Sequence, residues 1–225
     1  MGDPELAERW SSVAEQVADA ARSAGRDPRS ITTIVVTKFH PVALVRDLLE
    51  LGVVDFGENR HQEAQEKAAE LAGTPARWHY IGQLQSKKAR QVRRYAASVH
   101  SLDRLALVPL LDEGESPLDV FLQVNLTEDP ERGGAAPADV DALAEAITAA
   151  PGLALRGVMA VAPLGEEPRP AFARLRSLSD RVRSVDPSAT AVSAGMSHDF
   201  AEAIAEGATH LRIGTAITGN RPARA

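Results

Sequence analysis

A lysine stands where an apolar, β-branched run of the sequence ends. The segment ITTIVVTKF reads as a buried strand, and Lys38 lies near its end, three residues before Pro41. A neutral lysine amine can attack an aldehyde, and partial burial lowers the pKa of a lysine because desolvation disfavours the charged form. Lys38 is therefore a candidate for Schiff-base chemistry, while a strand end that simply reaches solvent is the alternative interpretation.

Two segments near the C-terminus have the composition of phosphate-binding elements. In SAGMSHDF, a strand passes through a glycine turn into a helix whose expected cap is Ser197 or Asp199. The free backbone N–H groups and the dipole at a helix start favour phosphate. In RIGTAI, Gly214 removes side-chain bulk and Thr215 adds a hydroxyl at the end of the last strand. Either segment alone is typical of an ordinary turn, so the prediction depends on their occurring together.

The elements that must position these residues alternate between strand and helix along the chain. An acidic, amphipathic N-terminal helix comes first, and the strand-like segments follow it. They are ITTIVVTKF, VDFGEN, RWHYIGQL, SVHSL, LDVFLQVNL, LALRGVMAV, TAVSAGM and THLRIGTAI. Such alternation implies a parallel sheet, and eight units in 225 residues favour a (β/α)8 TIM barrel with an extra N-terminal helix. An open doubly wound sheet is the alternative, although no Gly-rich dinucleotide fingerprint follows the first strand.

The predicted barrel gives the chemistry a location. Helical segments separate the strands at residues 41–52, 60–73, 85–96, 103–114, 137–152, 169–187 and 197–207. Active sites of TIM barrels gather at the C-terminal ends of the strands, and the loops after the last two strands usually bind phosphate. Lys38, Ser197 and Gly214 would then surround one mouth of a single domain that spans residues 1–225.

Composition excludes several classes of function. The chain has no cysteine, so disulfides, thiolate metal sites and cysteine nucleophiles are excluded. Its six histidines are scattered without an HxH or HExxH pair, which gives no support to a metal site. The net charge of -6 indicates no general affinity for nucleic acid or anionic membrane. No segment approaches the roughly 18 apolar residues of a membrane span or has a signal-peptide core, so we expect a cytoplasmic protein.

Taken together, these motifs resemble those of the pyridoxal 5'-phosphate homeostasis protein family, whose members are single barrels similar to the N-terminal domain of bacterial alanine racemase. The resemblance runs from about residue 5 to residue 221. In order, its motifs are VVTKFHP, DFGENRHQEAQEK, RWHYIGQLQSKK, HSLDR, LQVNLTEDPERGG, LRGVMAVAP, SAGMSHDFAEAIAEGATHLRIGTAI and GNR. The combination is specific, whereas its single pieces are not.

The resemblance implies a set of cofactor-binding residues. Lys38 would form an internal aldimine with pyridoxal 5'-phosphate (PLP). The residues that would surround the phosphate are Ser193, Ser197, Gly214 and Thr215.

Further residues beside this set are implied in less direct roles. Arg212 would face the pyridine nitrogen, where its permanent charge disfavours ring protonation and weakens the cofactor as an electron sink. A salt bridge on the barrel rim is the alternative role for this arginine. Asn59 would hydrogen-bond near the cofactor or cap a turn, and Met159 would pack against the ring or, as we expect, fill the barrel. His79 is expected to be a hydrogen-bonded core histidine.

The chain also departs from the family pattern. Arg60 stands where a tyrosine is common after GEN, and His40 stands where a second lysine is common near Lys38. Arg132 replaces a lysine before the glycine loop, and Thr218 replaces a phenylalanine. These changes argue against an accessory lysine site for cofactor transfer and against a ring pocket identical to that of the family.

The resemblance implies a protein that holds PLP, limits free aldehyde and delivers the cofactor to apo-enzymes without substantial turnover. We expect a monomer, because no long apolar helix face is left over in the sequence. A PLP-dependent amino-acid racemase is the alternative. Two-base racemisation needs a proton acceptor on each face of the Cα, and the two tyrosines, Tyr80 and Tyr95, fall in a strand and a helix. A class I aldolase-type Schiff base on a phosphorylated sugar is a third interpretation, because it would use the same phosphate site.

Overall fold

Eight parallel strands form a closed barrel wall within the part of the chain that the structure describes. The structure is a computed structural model and describes residues 4–114 and 116–220. The strands are β1 (Thr32–Val36), β2 (Asp55–Glu58), β3 (Arg77–Tyr80), β4 (Ser98–Leu102), β5 (Leu118–Gln123), β6 (Leu153–Met159), β7 (Ala191–Ser193) and β8 (His210–Ile213). Because β1 pairs in parallel with both β2 and β8, the sheet closes. The (β/α)8 prediction is confirmed, and the open sheet is wrong.

Helices surround this wall and bury their apolar faces against it. They are α1 (Pro4–Ser23), α2 (Val42–Glu50), α3 (His61–Glu70), α4 (Ala89–Arg93), α5 (Val108–Leu111), α6 (Val140–Thr148), α7 (Pro168–Val185), α8 (Phe200–Ala205) and α9 (Thr215–Thr218). In the described ranges, no helix has both the length and the apolar character that crossing a membrane requires.

Two predicted helices are wrong in extent. Residues 85–96 and 103–114 each contain a 3-10 turn followed by a short helix, α4 or α5, instead of one continuous helix. Pro109 gives the physical reason in the second case. Proline lacks an N–H and is tolerated in the first turn of a helix but not in its interior, so α5 begins at Val108.

The extra N-terminal helix is present and is part of the core. Its buried positions recur at helical spacing and are Leu6, Val13, Val17 and Ala21. This face packs against α8 and α9, and Arg9 Nε donates to the carbonyl oxygen of Ile217 at 2.8 Å. The helix therefore supports the elements that follow β7 and β8, which carry the predicted phosphate site.

Several strand predictions extend too far at their C-terminal ends, and two of them, β1 and β8, bear on the predicted site. β1 ends at Val36 rather than continuing to Phe39, and β8 ends at Ile213, after which α9 begins at Thr215. Lys38 and Thr215 consequently lie just beyond strands, at the mouth of the barrel where chemistry is expected.

Candidate functional site

A cavity of about 270 Å³ opens at the C-terminal end of the barrel. It lies among the ends of β1, β2, β3, β6, β7 and β8 and the segments that follow them. The sequence-predicted site residues that line it are Lys38, Asn59, Ser197, Arg212, Gly214 and Thr215. The fold thus brings together residues that are up to 177 positions apart, between Lys38 and Thr215, in the sequence.

Lys38 lies in a tight turn that follows β1. The His40 N–H donates to Thr37 O at 3.1 Å, and Phe39 has a φ of +68°. A positive φ is uncommon for a bulky residue, and it persists only where the surroundings enforce it. Here the Glu63 carboxylate accepts the Phe39 N–H at 2.9 Å and holds the turn. The backbone that carries Lys38 is therefore fixed from α3.

A buried ion pair lies behind this turn. Lys67 Nζ donates to Glu58 Oε1 at 2.5 Å and to Thr37 O at 2.8 Å. Thr37 Oγ1 donates to the same Glu58 oxygen at 2.7 Å. Burial raises the pKa of Glu58, and the charge and hydrogen bond of Lys67 oppose that shift. Lys67 thereby ties α3 to β2 and to the start of the turn.

One corner of the cavity is formed where the loop after β7 meets α9. Ser197 Oγ accepts the Ala216 N–H at 3.5 Å, and Thr215 lies beside this contact. Asp199 Oδ1 accepts the Met196 N–H at 2.6 Å and fixes the loop. The hydroxyl-bearing side chains of Ser197 and Thr215 thus lie together at this corner, and hydroxyl donors suit an anionic group.

Arg212 supplies a cation to the cavity from β8. Its Nη1 donates to Ser193 Oγ at 2.7 Å, and its Nη2 donates to Ala160 O at 2.8 Å. Burial lowers the pKa of Arg212 to about 10, and the charge of Asp199 opposes the shift. The guanidinium is therefore protonated at neutral pH. It is buried and, among the described residues, its hydrogen-bond partners are a hydroxyl and a backbone carbonyl, so it does not form the rim salt bridge.

Asn59 contributes an oxygen that the described residues leave unsatisfied. Its Oδ1 is buried and accepts no hydrogen bond from them. Gly82 packs against the same residue so closely that a Cβ there would lie 2.1 Å from Asn59 O. An unsatisfied buried acceptor costs about 1–3 kcal/mol, so a bound molecule with a donor at this position would relieve the cost.

Two predicted site residues lie below the cavity and do not line it. Ser193 is fully buried, and its Oγ contacts Arg212 Nη1 and, at 2.8 Å, His100 Nδ1. Met159 is 2% exposed and pairs with Ser193 across β6 and β7. The geometry therefore makes Ser193 a support of Arg212 instead of a member of the corner at Ser197 and Thr215, and Met159 is one of the side chains that fill the barrel interior.

Several lining residues were missed by the sequence analysis, namely Ile81, Val161, Met196 and His198. They lie in the C-terminal parts of the predicted strand segments or just after them, so position at a predicted strand end was the signal that could have found them. Lys67 was also missed. It lies on a helix with many polar residues, and no sequence signal separates it from a solvated lysine.

Two departures from the family pattern have local partners. The Arg60 guanidinium lies 4.7 Å from the centroid of the Phe39 ring, so it covers the turn that carries Lys38. Thr218 Oγ1 donates to Gly214 O at 3.2 Å within α9. Arg221, the last residue of the GNR motif, lies outside the described residues.

Comparisons with known proteins extend over nearly the whole chain. Residues 11–222 match the family model described as alanine racemase, N-terminal domain. The pyridoxal phosphate homeostasis protein of Pseudomonas aeruginosa is 44% identical over 223 residues, which cover 96% of this chain and 96% of the relative.

Solved structures resemble the barrel over the same extent. PipY of Synechococcus elongatus with PLP bound is 37% identical and has a TM-score of 0.84, covering 95% of this chain and 100% of PipY. An alanine racemase from Corynebacterium glutamicum is 15% identical, with a TM-score of 0.73 over 94% of this chain and 62% of the racemase. At that identity, the second likeness shows a shared fold alone.

Proposed function

This chain belongs to the pyridoxal phosphate homeostasis protein family, and on that premise we propose that it binds PLP in the cavity at the C-terminal end of the barrel. One observation carries the proposal: a lysine, an arginine and a hydroxyl-bearing corner line the same cavity. PLP has an aldehyde, a pyridine nitrogen and a phosphate. These groups are complementary to Lys38, to Arg212 and to the corner formed by Ser197 and Thr215.

Lys38 is the lysine that we assign to the aldehyde. The chain has four lysines. Lys67 is engaged in the buried pair with Glu58, and the 3-10 turn Ser86–Lys88 carries the remaining two outside the cavity lining. The Lys38 amine, once neutral, would attack the aldehyde carbon, and a C=N bond would form with loss of one water.

Arg212 favours holding the cofactor over using it for turnover. When bound, PLP supplies an electron sink whose strength depends on a proton at the pyridine nitrogen. A permanently charged guanidinium next to that nitrogen disfavours the proton. The Asn59 oxygen and the corner at Ser197 would orient the ring and the phosphate without taking part in proton transfer.

The positions of the tyrosines support the same proposal. Tyr80 is buried in β3 with its hydroxyl 3.4 Å from Gln83 O, and the Tyr95 hydroxyl lies 3.4 Å from His61 Nδ1. Neither tyrosine lines the cavity, so neither is placed as the second base of a two-base racemase. We propose storage and delivery of PLP without substantial turnover, by a monomer in the cytoplasm.

An absorption spectrum of the full-length protein incubated with PLP tests the binding. We expect a Schiff-base band near roughly 420 nm in the unsubstituted protein, because a protonated C=N bond conjugated to the ring absorbs there. The band should be lost in Lys38→Ala and retained in Lys87→Ala, a matched change at an exposed lysine. After borohydride reduction, peptide mass spectrometry should locate the adduct on Lys38.

Each part of the proposal has a contrary result. A protein that stays colourless with PLP would refute cofactor binding and favour the aldolase-type interpretation of Lys38. An adduct on another lysine would refute the assignment of Lys38. Alanine racemisation by the pure protein that disappears in Lys38→Ala would refute the absence of turnover, and a stable dimer in sedimentation would refute the monomer.

A further inference from the structure

A row of hydrogen-bonded polar side chains crosses the interior of the barrel beneath the cavity. We call it the internal polar chain, and all of its members are buried. They are Asp55 on β2, His79 on β3, Ser98 and His100 on β4, and Ser193 on β7. Its upper end contacts Arg212, and its lower end reaches the opposite mouth of the barrel. The proposed function uses Arg212 and assigns no role to the internal polar chain below it.

Arg212 determines the direction of the hydrogen bonds at the upper end. A guanidinium has donors and no acceptor, so Ser193 Oγ accepts from Arg212 Nη1 at 2.7 Å. The Ser193 hydroxyl then donates its own hydrogen to His100 Nδ1 at 2.8 Å. Burial lowers the pKa of His100 well below its usual value, so the ring is neutral. Because Nδ1 accepts, the hydrogen of His100 is on Nε2.

The hydrogen bonds in the lower half of the internal polar chain run in the same direction. His100 Nε2 lies 2.9 Å from Ser98 Oγ and 3.1 Å from His79 Nδ1, so its hydrogen is donated toward both acceptors. The Ser98 hydroxyl donates to His79 Nδ1 at 2.7 Å. The His79 Nε2–H donates to Asp55 Oδ1 at 2.8 Å. Asp55 is the terminal acceptor, and its second oxygen accepts from Arg77 Nη2 at 2.6 Å. Burial acts to raise the pKa of Asp55, but the hydrogen bonds from His79 and Arg77 outweigh it and lower the pKa.

We infer that Asp55 is a positioning residue for Arg212 and acts on it across the barrel, through the tautomers of the two histidines of the chain. With both hydrogens on Nε2, Ser193 Oγ presents a lone pair to the guanidinium. With the reverse tautomers, the His100 Nδ1–H would donate to Ser193 Oγ. The hydrogen of Ser193 would then lose its acceptor, and two donors would compete for one oxygen, which weakens the contact with Arg212.

The residue that sets the tautomers is reachable from the mouth that the proposed cofactor does not use. A second cavity, of about 320 Å³, opens at the N-terminal end of the barrel and is lined in part by Asp55, Arg77, His79 and Ser98. The inference deepens the proposed function, because it names what holds the arginine at the proposed cofactor site. The hydrogen-bond directions themselves do not depend on PLP.

Asp55→Asn tests the inference because it should reverse the direction of the hydrogen bonds along the internal polar chain. Arg77 has only donors, so the amide oxygen of the new side chain faces Arg77 and its NH₂ faces His79 Nε2. His79 must then accept on Nε2 and carry its hydrogen on Nδ1. Asp119→Asn is the matched control, because Asp119 lies at the same mouth and pairs with Arg156 at 3.4 Å, outside the chain.

Nitrogen-15 NMR of the full-length protein without ligand reports which ring nitrogen carries the hydrogen. For His79 and His100 we expect the Nε2–H form in the unsubstituted protein and in Asp119→Asn, and the Nδ1–H form in Asp55→Asn. In Asp55→Asn, the guanidinium hydrogens of Arg212 should exchange with solvent about tenfold faster, because a hydrogen bond to a charged group is weakened.

An Nδ1–H form of either histidine in the unsubstituted protein overturns the inference, and this measurement needs no variant to fold. Unchanged exchange at Arg212 in Asp55→Asn also overturns it. Affinity for PLP, measured by titration of the absorption band, should fall about tenfold in the same variant for the same reason. A protein that binds no PLP would refute the proposed function alone, since the two NMR measurements are made without ligand.

Discussion

Replacing Lys67 by methionine removes the cation that neutralises Glu58 inside the protein. The lysine is 4% exposed, and its Nζ lies 2.5 Å from Glu58 Oε1 and 2.8 Å from Thr37 O. Truncating one partner of a buried ion pair costs about 3–5 kcal/mol, because the other charge is left buried and uncompensated. At pH 8 the free energy of unfolding of Lys67→Met should therefore be lower by about that amount.

The loss should also depend on pH in a defined direction. Burial raises the pKa of Glu58 and Lys67 opposes the shift, so without Lys67 the folded-state pKa rises further above its unfolded value. A carboxyl with a raised folded-state pKa destabilises the fold increasingly as pH rises above the unfolded pKa of about 4.3. The loss in Lys67→Met should consequently be larger at pH 8 than at pH 5.

Urea unfolding followed by circular dichroism, with linear extrapolation to water, measures both quantities. Arg46→Met is the control, because Arg46 and Glu70 form a 3.1 Å pair in which both side chains are more than half exposed. Such a pair contributes about 0–1 kcal/mol. Adding Glu58→Gln to Lys67→Met should restore part of the loss at pH 8, since it removes the buried charge.

A loss below about 1 kcal/mol at pH 8, the range of an exposed pair, would refute the buried-charge reasoning. The same loss at pH 5 and pH 8 would refute the assignment of the cost to an ionised Glu58.

Three other features of the barrel are tested by single changes. Burial lowers the pKa of His210 to about 4, so its contribution to stability is complete above the unfolded pKa and is lost as pH falls toward the folded value. His210→Gln should therefore shrink the difference in unfolding free energy between pH 7.5 and pH 5 by about 2 kcal/mol, measured by urea titration. Gly214→Ala should unfold like the unsubstituted protein, because its Cβ would lie 3.5 Å from Val36 Cβ, yet bind PLP more weakly in absorption titrations by narrowing the cavity. Gly82→Ala places a Cβ 2.1 Å from Asn59 O and should lower the thermal midpoint through a loss of about 3 kcal/mol.

The barrel could be predicted from the sequence because its signal is repeated along the chain. Each strand is an apolar run followed by a helical segment, and errors in one unit do not change the order of the others. The ends of the individual helices and strands could be predicted less accurately than their order. The segment 103–114 reads as one helix on composition, but Pro109 is tolerated only in the first turn, so α5 begins no earlier than Val108.

The site could be predicted at the level of strand ends but not at the level of side-chain direction. Lys38, Arg212 and Thr215 line the cavity because they lie at or just beyond the C-terminal ends of β1 and β8. Ser193 also ends a strand, but its hydroxyl is directed to Arg212 and His100 inside the barrel. Which way a side chain faces depends on the register and tilt of the closed sheet, and a single sequence does not show either.

Lys38 and Arg212 are held from different sides of the barrel wall. Lys38 lies on a turn that α3 fixes through Lys67 and Glu63, outside the wall. Arg212 is held by Ser193 and the internal polar chain, inside the wall. Within residues 4–114 and 116–220, these contacts share no residue between the two supports, so the effect of changing one support should add to the effect of changing the other. The covalent anchor and the permanent cation of the proposed site can therefore be weakened separately, which allows cofactor capture and ring electronics to be measured as independent properties of one cavity.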